Sequence, residues 1–292
     1  MIKESKGIKA GERAAKILTF TALTAVALLI LVPFYIIVIT SFKHNTESMG
    51  VVFTWWPQEG FTIEGYRNVL FSDASGGGSL STILAGFKNT LVIVVPATLL
   101  GLFVSAISAY SFAKIPFRIK NKMFSVLLAT IMIPGVIMLT PSYLLYDMLG
   151  FVDTRFPLMV PGMFGSAACV FFMRQYYFGI PTDLVEAAKI DGLSHIKIFF
   201  QIMVPLSSSA LIAQGVLGFV GGYNDYFGPL LYLQSPAKYT LQIALKNSVS
   251  TYGYDWQTVM SGAVIALIPT TVIYVFAQRF FIEGIATSGL KV

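Results

Sequence analysis

The stretch ILTFTALTAVALLILVPFYIIVITSF, residues 17–42, decides the class of fold because none of its side chains is charged. At a rise of about 1.5 Å per residue, roughly 20 apolar residues cross the hydrocarbon of a bilayer, and this stretch is longer than that. It also exceeds the roughly 7–15 apolar residues of a cleaved signal peptide. We therefore expect a membrane anchor that is retained in the protein.

The composition of the whole chain agrees with this expectation. Of 292 residues, 55% are apolar and only 12% are charged, and the mean hydropathy is +0.74. A soluble domain carries roughly 25% charged residues, and a disordered chain requires low hydrophobicity, so both classes are excluded. The single cysteine, Cys169, excludes a disulfide framework and a multi-cysteine metal site.

Five further charge-poor stretches follow the first one. They predict an all-α integral membrane protein with six transmembrane helices. Gly215, Gly218 and Gly222 recur at helical spacing in the fifth stretch, which indicates close packing of that helix against a neighbour. The six spans are expected at about 17–42, 89–113, 123–146, 156–175, 206–232 and 256–280.

The distribution of basic residues predicts the orientation of these spans. With residues 1–16 inside the cell, 14 of the 20 Lys and Arg residues fall on the cytoplasmic side, most densely in the loop 114–122. The net charge of +6 therefore indicates membrane topology rather than a nucleic-acid partner. Both termini are expected to be cytoplasmic, with a six-span domain over 17–283 and a short tail over 284–292.

Residues 179–205, between the fourth and fifth spans, predict two short cytoplasmic helices. Thr182 can cap the start of the first helix, and Gly192 can end it in a bend. Ser194 can cap the second helix, which leads into the membrane. The segment therefore places a helix, a bend and a second helix at the cytoplasmic face.

The first of these helices carries a surface suited to contact with another molecule. Ala187 and Ala188 allow close approach, and Glu186 and Asp191 flank them with negative charge. An amphipathic loop lying on the bilayer is the alternative. Such helices usually carry Lys and Arg on their polar face, whereas this segment balances acidic and basic residues. A protein partner is therefore favoured.

The same segment resembles the signature loop of the permease subunits of bacterial ABC importers. That pattern is Glu-Ala-Ala, three residues, Gly, nine residues, Ile, one residue, Leu and Pro. Val204 stands here where Leu is usual. The matching residues are Glu186-Ala187-Ala188, Gly192, Ile202 and Pro205.

Two other segments narrow the resemblance. Residues 221–230, GGYNDYFGPL, are similar to the Trp-Asn-(Asp/Glu)-Phe segment of sugar permeases, with Tyr223 at the position of the Trp. Residues 278–291 are similar to the end of MalG-type subunits. The resemblance covers nearly the whole chain and implies the type I ABC importer permease fold. It also implies a permease subunit of a binding-protein-dependent importer of sugars or oligosaccharides.

The resemblance implies a division of labour in the bacterial cell membrane. This chain and a sister permease form the pathway, and an extracytoplasmic solute-binding protein delivers the carbohydrate. Two ATPase subunits bind ATP and Mg and hydrolyse the nucleotide, so this chain is not expected to be an enzyme or to bind a cofactor or metal. The residues implied to dock on the ATPase are Glu186, Ala187, Ala188, Asp191 and Gly192; the tail is implied to lie near it.

Tyr223, Asn224 and Asp225 are candidates for the solute pathway. An ionisable group at membrane depth indicates function, and Asn and Asp side chains bind sugar hydroxyls. A structural role for Asp225 at the end of its span is equally open. An ABC importer of a non-sugar solute and a secondary carrier are the alternative functions. No G-x-x-x-x-G-K-[ST] motif occurs, so ATP-driven transport requires a partner chain.

Overall fold

The computed structural model describes residues 2–71, 82–252 and 255–289, and the regular structure in these ranges is entirely helical. The expected all-α class is therefore confirmed. Short 3₁₀ helices lie at Gly135–Met138 and Pro236–Lys238, and a π-helical turn lies at Phe199–Met203. The α-helices are α1 (Ile2–Ser41), α2 (Asn45–Ser48), α3 (Glu64–Phe71), α4 (Thr82–Lys114), α5 (Lys120–Ile131), α6 (Leu139–Met148), α7 (Phe156–Met163), α8 (Ala167–Phe178), α9 (Thr182–Ile190), α10 (His195–Ile198), α11 (Val204–Leu206), α12 (Ser208–Tyr223), α13 (Phe227–Tyr232), α14 (Leu241–Tyr252) and α15 (Trp256–Gly289).

Four helical segments within these ranges are long and apolar enough to cross a membrane. They are Ala15–Ser41, Thr82–Lys114, Phe156–Phe178 and Trp256–Phe280. Two further helix pairs meet the same requirement together, and six spans result if each pair counts as one. α15 continues beyond the last segment to Gly289, so part of the tail expected at 284–292 is helical, and residues 290–292 lie outside the described residues.

The third expected span, about 123–146, is broken near its middle. Lys120–Ile131 and Gly135–Met148 meet at an angle of 85°. Pro134 lies in the break; it has no backbone N–H, and its ring disfavours the helical conformation of the residue before it. The apolar run therefore continues while the direction of the chain changes.

The fifth expected span, about 206–232, is also not one helix. His195–Leu206 and Ser208–Tyr223 meet at 82°, with the break at Ser207, two residues after Pro205. α12 then ends at Tyr223, and a separate short helix, α13, follows. The apolar residues of this region are therefore distributed over α11, α12 and α13.

The described residues form two compact units. The first comprises 2–71, 248–252 and 255–265, and the second comprises 82–247 and 266–289. Each unit has its own packing.

In the first unit, α3 packs closely on the beginning of α15. A Cβ atom on Gly65 would lie 2.5 Å from the Ser261 hydroxyl and 2.9 Å from the Gln257 carbonyl oxygen. Asn68 adds a hydrogen bond from its side-chain amide to the Thr258 hydroxyl at 3.3 Å. The two helices therefore approach at a distance that only glycine permits at position 65.

A buried ion pair organises the loop that follows α1. Lys43 is 2% exposed, and its Nζ lies 3.9 Å from Glu47 Oε1 and donates to the carbonyl and hydroxyl oxygens of Thr54. Glu47 accepts hydrogen bonds from the Thr54 hydroxyl and from the backbone N–H groups of Gln58 and Glu59. Burial lowers the pKa of Lys43, which Glu47 partly opposes. Burial also raises the pKa of Glu47, but its hydrogen bonds outweigh this effect and hold the pKa below its ordinary value.

α4 is the central helix of the second unit. Ala106, Ala109 and Tyr110 on α4 are almost fully buried, and they share one apolar core with residues of α5, α8, α9, α10 and α12. The small side chains of Ala106 and Ala109 let the neighbouring helices approach closely. The core therefore joins the membrane helices to the short helices of residues 179–205.

The expectation of close packing by the glycines of α12 is confirmed. A Cβ atom on Gly222 would lie 3.1 Å from Val94, and one on Gly215 would lie 3.3 Å from Leu102. A Cβ atom on Gly218, between them, would lie 3.5 Å from Thr98, an ordinary contact distance. The three glycines thus form the contact face of α12 against α4.

Asp153 joins two loops of the second unit. Its carboxylate accepts hydrogen bonds from the backbone N–H groups of Gln234 and Ser235, both at 2.9 Å, and from Lys238 Nζ at 2.8 Å. The hydrogen bond from Lys238, followed by those from Ser235 and Gln234, lowers the pKa of Asp153 far below its ordinary value. The carboxylate is therefore ionised, and it holds the two loops together.

Candidate coupling surface and solute cavity

α9 ends in a turn that requires glycine. Gly192 has a φ of +79°, in the left-handed region. The Gly192 N–H donates to the Lys189 carbonyl and the Leu193 N–H to the Ala188 carbonyl, each at 3.0 Å, which is the hydrogen-bond pattern of a Schellman motif. Ser194 then caps α10, because its hydroxyl accepts a hydrogen bond from the Lys197 N–H at 3.4 Å. The expected bend and the second cap are both present.

One face of α9 is buried and the opposite face is free. Val185 is 1% exposed and Ala188 is 5% exposed, and both pack into the apolar core around α4. The opposite face carries only exposed residues. We call this face the α9 surface; its residues are Asp183, Glu186, Ala187 and Ile190.

The α9 surface differs in three ways from the surface predicted by the sequence. Ala188 was expected on it but is buried, so Ala187 alone provides the small contact residue. Ile190 was missed, although it is 87% exposed and follows Glu186 by four residues and Ala187 by three. Thr182 was expected to cap α9, but it is the first helical residue and makes no capping hydrogen bond. Asp191 and Gly192 are exposed beside the surface, at the end of the helix.

Hydrogen bonds tie α9, α10 and the residues before them to α4. Tyr110 Oη lies 3.1 Å from His195 Nδ1. Lys114 Nζ donates to the Ile180 carbonyl at 2.5 Å and to the Thr182 hydroxyl at 3.4 Å. These contacts join positions 66 to 85 residues apart, so the local sequence pattern contained no signal for them. They hold α9 and α10 against the end of α4.

A cavity of about 390 Å³ lies within the second unit, between α4, α7, α8 and α12. Its volume is within the range of pockets that hold small ligands. Most of its wall consists of small or apolar residues, with a few polar groups. Ser105, Gln214 and Asp225 are among the polar residues that line it.

The structure brings only one of the three pathway candidates to this cavity. Asp225 lines it, and its Oδ1 accepts a hydrogen bond from the Gly228 N–H at 3.1 Å, so the residue also caps α13. Asn224 is exposed and lies 3.5 Å from the side-chain amide of Gln242. Tyr223 is fully buried, and its hydroxyl donates to the Ala266 carbonyl at 3.0 Å. Its ring therefore packs inside the protein and presents no face to a solute.

Among the described residues, no group of three or more His, Cys, Asp and Glu side chains is arranged to hold a metal ion. The long apolar helices define a class, that of multi-pass membrane proteins, and a cavity of ligand size lies between several of the helices.

Comparison with known proteins identifies the family within this class. Residues 101–286 match the family described as binding-protein-dependent transport system inner membrane component. The arabinooligosaccharides transport system permease protein AraQ of Bacillus subtilis (strain 168) is 32% identical, over 91% of this chain and 92% of that protein. The lactose transport system permease protein LacG of Rhizobium radiobacter is 34% identical, over 69% of this chain and 74% of that protein. The chain therefore belongs to the inner membrane component family of binding-protein-dependent transport systems.

A solved structure confirms the expected fold. A chain of a bacterial ABC transporter involved in the import of the acidic polysaccharide alginate superposes with a TM-score of 0.79, at 22% identity. The match covers 93% of this chain and 98% of that chain. The all-helical fold is thus that of an ABC importer permease.

Proposed function

We propose that this chain is a pathway-forming permease subunit of an ATP-driven importer of sugars or oligosaccharides. The observation that carries the proposal is the similarity along almost the full length to a permease protein for arabinooligosaccharides. A second relative is a permease protein for lactose, so both names specify saccharides. The chain belongs to a transporter permease family, and ATP hydrolysis is assigned here to two partner ATPase subunits that hold ATP and Mg.

The proposed topology has residues 1–16 and the tail over 284–292 in the cytoplasm. The support is the concentration of Lys and Arg in the loops that this orientation places inside. The six-span domain over 17–283 then presents the coupling loop, residues 179–205, to the ATPase. A sister permease completes the pathway, and an extracytoplasmic binding protein delivers the solute.

Within this assembly, the α9 surface docks on an ATPase subunit. Ile190 supplies the apolar anchor, and Glu186 supplies a negative charge for a basic residue of the partner. Ala187 has a single methyl group, which lets the two backbones approach. The buried side of α9 supports this role, because a helix anchored in its own core is already ordered before a partner binds.

Gly192→Ala is expected to weaken retention of the ATPase. A Cβ atom at this position meets nothing within 4 Å, so the effect comes from the φ of +79°, which costs an L-residue roughly 1–2 kcal/mol. The Ala variant can relieve this strain by unwinding the turn. The turn must then form again when the ATPase docks, and this cost weakens docking. We expect up to about a tenfold loss of co-purified ATPase. Gly192→Asn should lose less, because Asn tolerates this conformation, and equal retention by the Ala variant and the parent would contradict the role of the turn.

Asp225→Asn is expected to raise the apparent KM for uptake by about tenfold, because a hydrogen bond to a charged group contributes roughly 1.5–3 kcal/mol. Asn keeps the oxygen that accepts from the Gly228 N–H, so the helix cap is preserved while the charge is lost. Asp147→Asn, an exposed acidic residue outside the cavity, is the matched control. An unchanged KM and rate in the Asp225→Asn variant would show that the carboxylate does not bind the solute and only caps α13.

Co-purification from native membranes in mild detergent tests the function as a whole. We expect an ATPase, a second permease and a solute-binding protein to accompany the tagged chain. Binding of saccharides to that solute-binding protein then identifies the substrate, and binding of a non-saccharide instead would overturn the sugar assignment. A chain recovered alone that catalyses counterflow in vesicles without ATP would be a secondary carrier.

A further inference from the structure

A groove of about 630 Å³ lies between the connection from α4 to α5 and the end of α8. Three cationic side chains line it: Arg118, Lys120 and Arg174. Two aromatic side chains, Phe117 and Phe178, also line it, and they are 37% and 47% exposed. We call it the basic groove.

No carboxylate neutralises the basic groove among the described residues. The ion pairs among the described residues are Lys43–Glu47 and Lys238–Asp153, and neither involves a cation of the basic groove. The sequence contains no Asp or Glu from residue 74 to 146 or from 154 to 182, so the walls contribute none. The groove is therefore a concentration of positive charge without an internal counter-ion.

Neutral groups hold two of the cations in place. Lys120 Nζ donates to the Ala113 carbonyl at 3.1 Å, and Arg174 Nε donates to the Phe112 carbonyl at 3.2 Å. The Arg174 guanidinium also lies over the Phe124 ring, 3.8 Å from its centroid. These contacts fix positions without cancelling charge, and the remaining N–H groups of the guanidinium are left to bind an anion.

An apolar groove of about 690 Å³ lies along the same helices. Neighbouring residues of α5 line it, among them Met123, Val126 and Leu127, together with Val170 of α8. Val126 is 67% exposed. Cationic and apolar grooves on one helix pair match an amphiphile that has an anionic head and hydrocarbon chains.

We propose that the basic groove binds the phosphate of an anionic phospholipid of the cytoplasmic leaflet, whose acyl chains lie along the apolar groove. Basic pockets between membrane helices on the cytoplasmic side recognise anionic headgroups in this way. The inference rests on the proposed topology, which places the connection between α4 and α5 inside. Only five residues separate these helices, so the groove lies close to the ends of two membrane helices.

The arrangement favours a lipid over an ATPase surface as the occupant. Exposed aromatic rings at the rim suit the membrane interface. Beside them the apolar groove continues along α5, where a soluble partner would meet hydrocarbon. The α9 surface, in contrast, carries acidic residues and belongs to a separate segment.

The test is native mass spectrometry of the complex, purified from its membrane and exchanged into nanodiscs of equimolar dioleoylphosphatidylglycerol and dioleoylphosphatidylcholine. The parent should retain phosphatidylglycerol in preference to phosphatidylcholine. The variant Arg118→Gln/Lys120→Gln removes two cations and should lower that preference roughly thirtyfold, since each cation near an anionic lipid is worth about 1 kcal/mol. Arg67→Gln/Lys88→Gln removes the same charge from exposed residues outside the groove and should leave the preference unchanged.

Three results would overturn the proposal. The first is an unchanged lipid preference in the groove variant, and the second is complete displacement of the lipid by excess inorganic phosphate. The third is loss of the ATPase with the lipid preference intact, which would make the groove a protein contact. If the double variant does not fold, Arg118→Gln alone serves, because Arg118 is exposed. The same spectra report which subunits are present, so a failed assembly is distinguished from a failed lipid site.

Discussion

Glu186→Lys is expected to abolish uptake while the chain remains folded in the membrane. Glu186 is exposed, and Val185 and Ala188 on the buried side of α9 are untouched by the change. At the proposed contact with a basic residue of the ATPase, the substitution replaces an attraction by a like-charge contact, which costs several kcal/mol at an interface. A loss of about 3 kcal/mol weakens docking by more than about a hundredfold. The measurements are uptake of the saccharide bound by the co-purified binding protein and retention of the ATPase.

Two further variants test whether the loss of uptake comes from the reversed charge at position 186. Glu186→Gln removes the charge without reversing it and should keep part of the uptake. Asp147→Lys makes the same reversal at an exposed residue at the end of α6 and should transport normally. Parental uptake by the Glu186→Lys variant would remove Glu186 from the docking contact.

Gly101→Ala is expected to cause the largest loss of stability. Gly101 is buried where α4 meets the end of α7 and the connection to α8, and an added Cβ atom would clash with the Gly162 carbonyl oxygen. The neighbouring atoms, at 3.4 and 3.6 Å, belong to the backbone of Gly162 and Gly165, so no side chain can rotate away. Overpacking of this kind costs roughly 1–3 kcal/mol, and we expect the upper end. The midpoint of thermal unfolding in detergent and the yield of monodisperse protein measure the effect.

Gly221→Ala is the matched control for this prediction. Gly221 also lies within a membrane helix, α12, but a Cβ atom there meets nothing within 4 Å. The change should be neutral or should stabilise by roughly 0.5–1 kcal/mol through helix propensity. Equal unfolding midpoints for the two variants would show that the helix contact at Gly101 is not tight.

Bilayer physics made the membrane class and the helical content predictable. The length of an apolar run and its lack of charge are one-dimensional quantities, and the stretch at 17–42 contains both. The direction in which each helix runs depends on three-dimensional packing and cannot be read from the apolar pattern. Pro134 signals a helix break, but the 85° change of direction depends on how the two halves pack. The apolar pattern alone therefore gives the number of spans better than their shape.

The same reasoning separates what was predictable at the candidate site from what was not. Gly192 and Ser194 mark the end of one helix and the start of the next by local backbone chemistry, and both behave as expected. Which face of a nine-residue helix is buried depends on its tertiary partners. The burial of Ala188 and the exposure of Ile190 follow from the position of α4, which lies distant in sequence.

The shared core around α4 has a mechanical consequence. Val185, Ile198 and Phe199, all within residues 179–205, are almost fully buried in the same cluster as Ala109 and Tyr110 of α4. Close-packed interiors have low compressibility and transmit strain. A force applied to the exposed side of α9 therefore cannot be absorbed by local bending. The force is transmitted to α4, which lines the cavity, so under the proposed function a movement of the docked ATPase would tilt this helix.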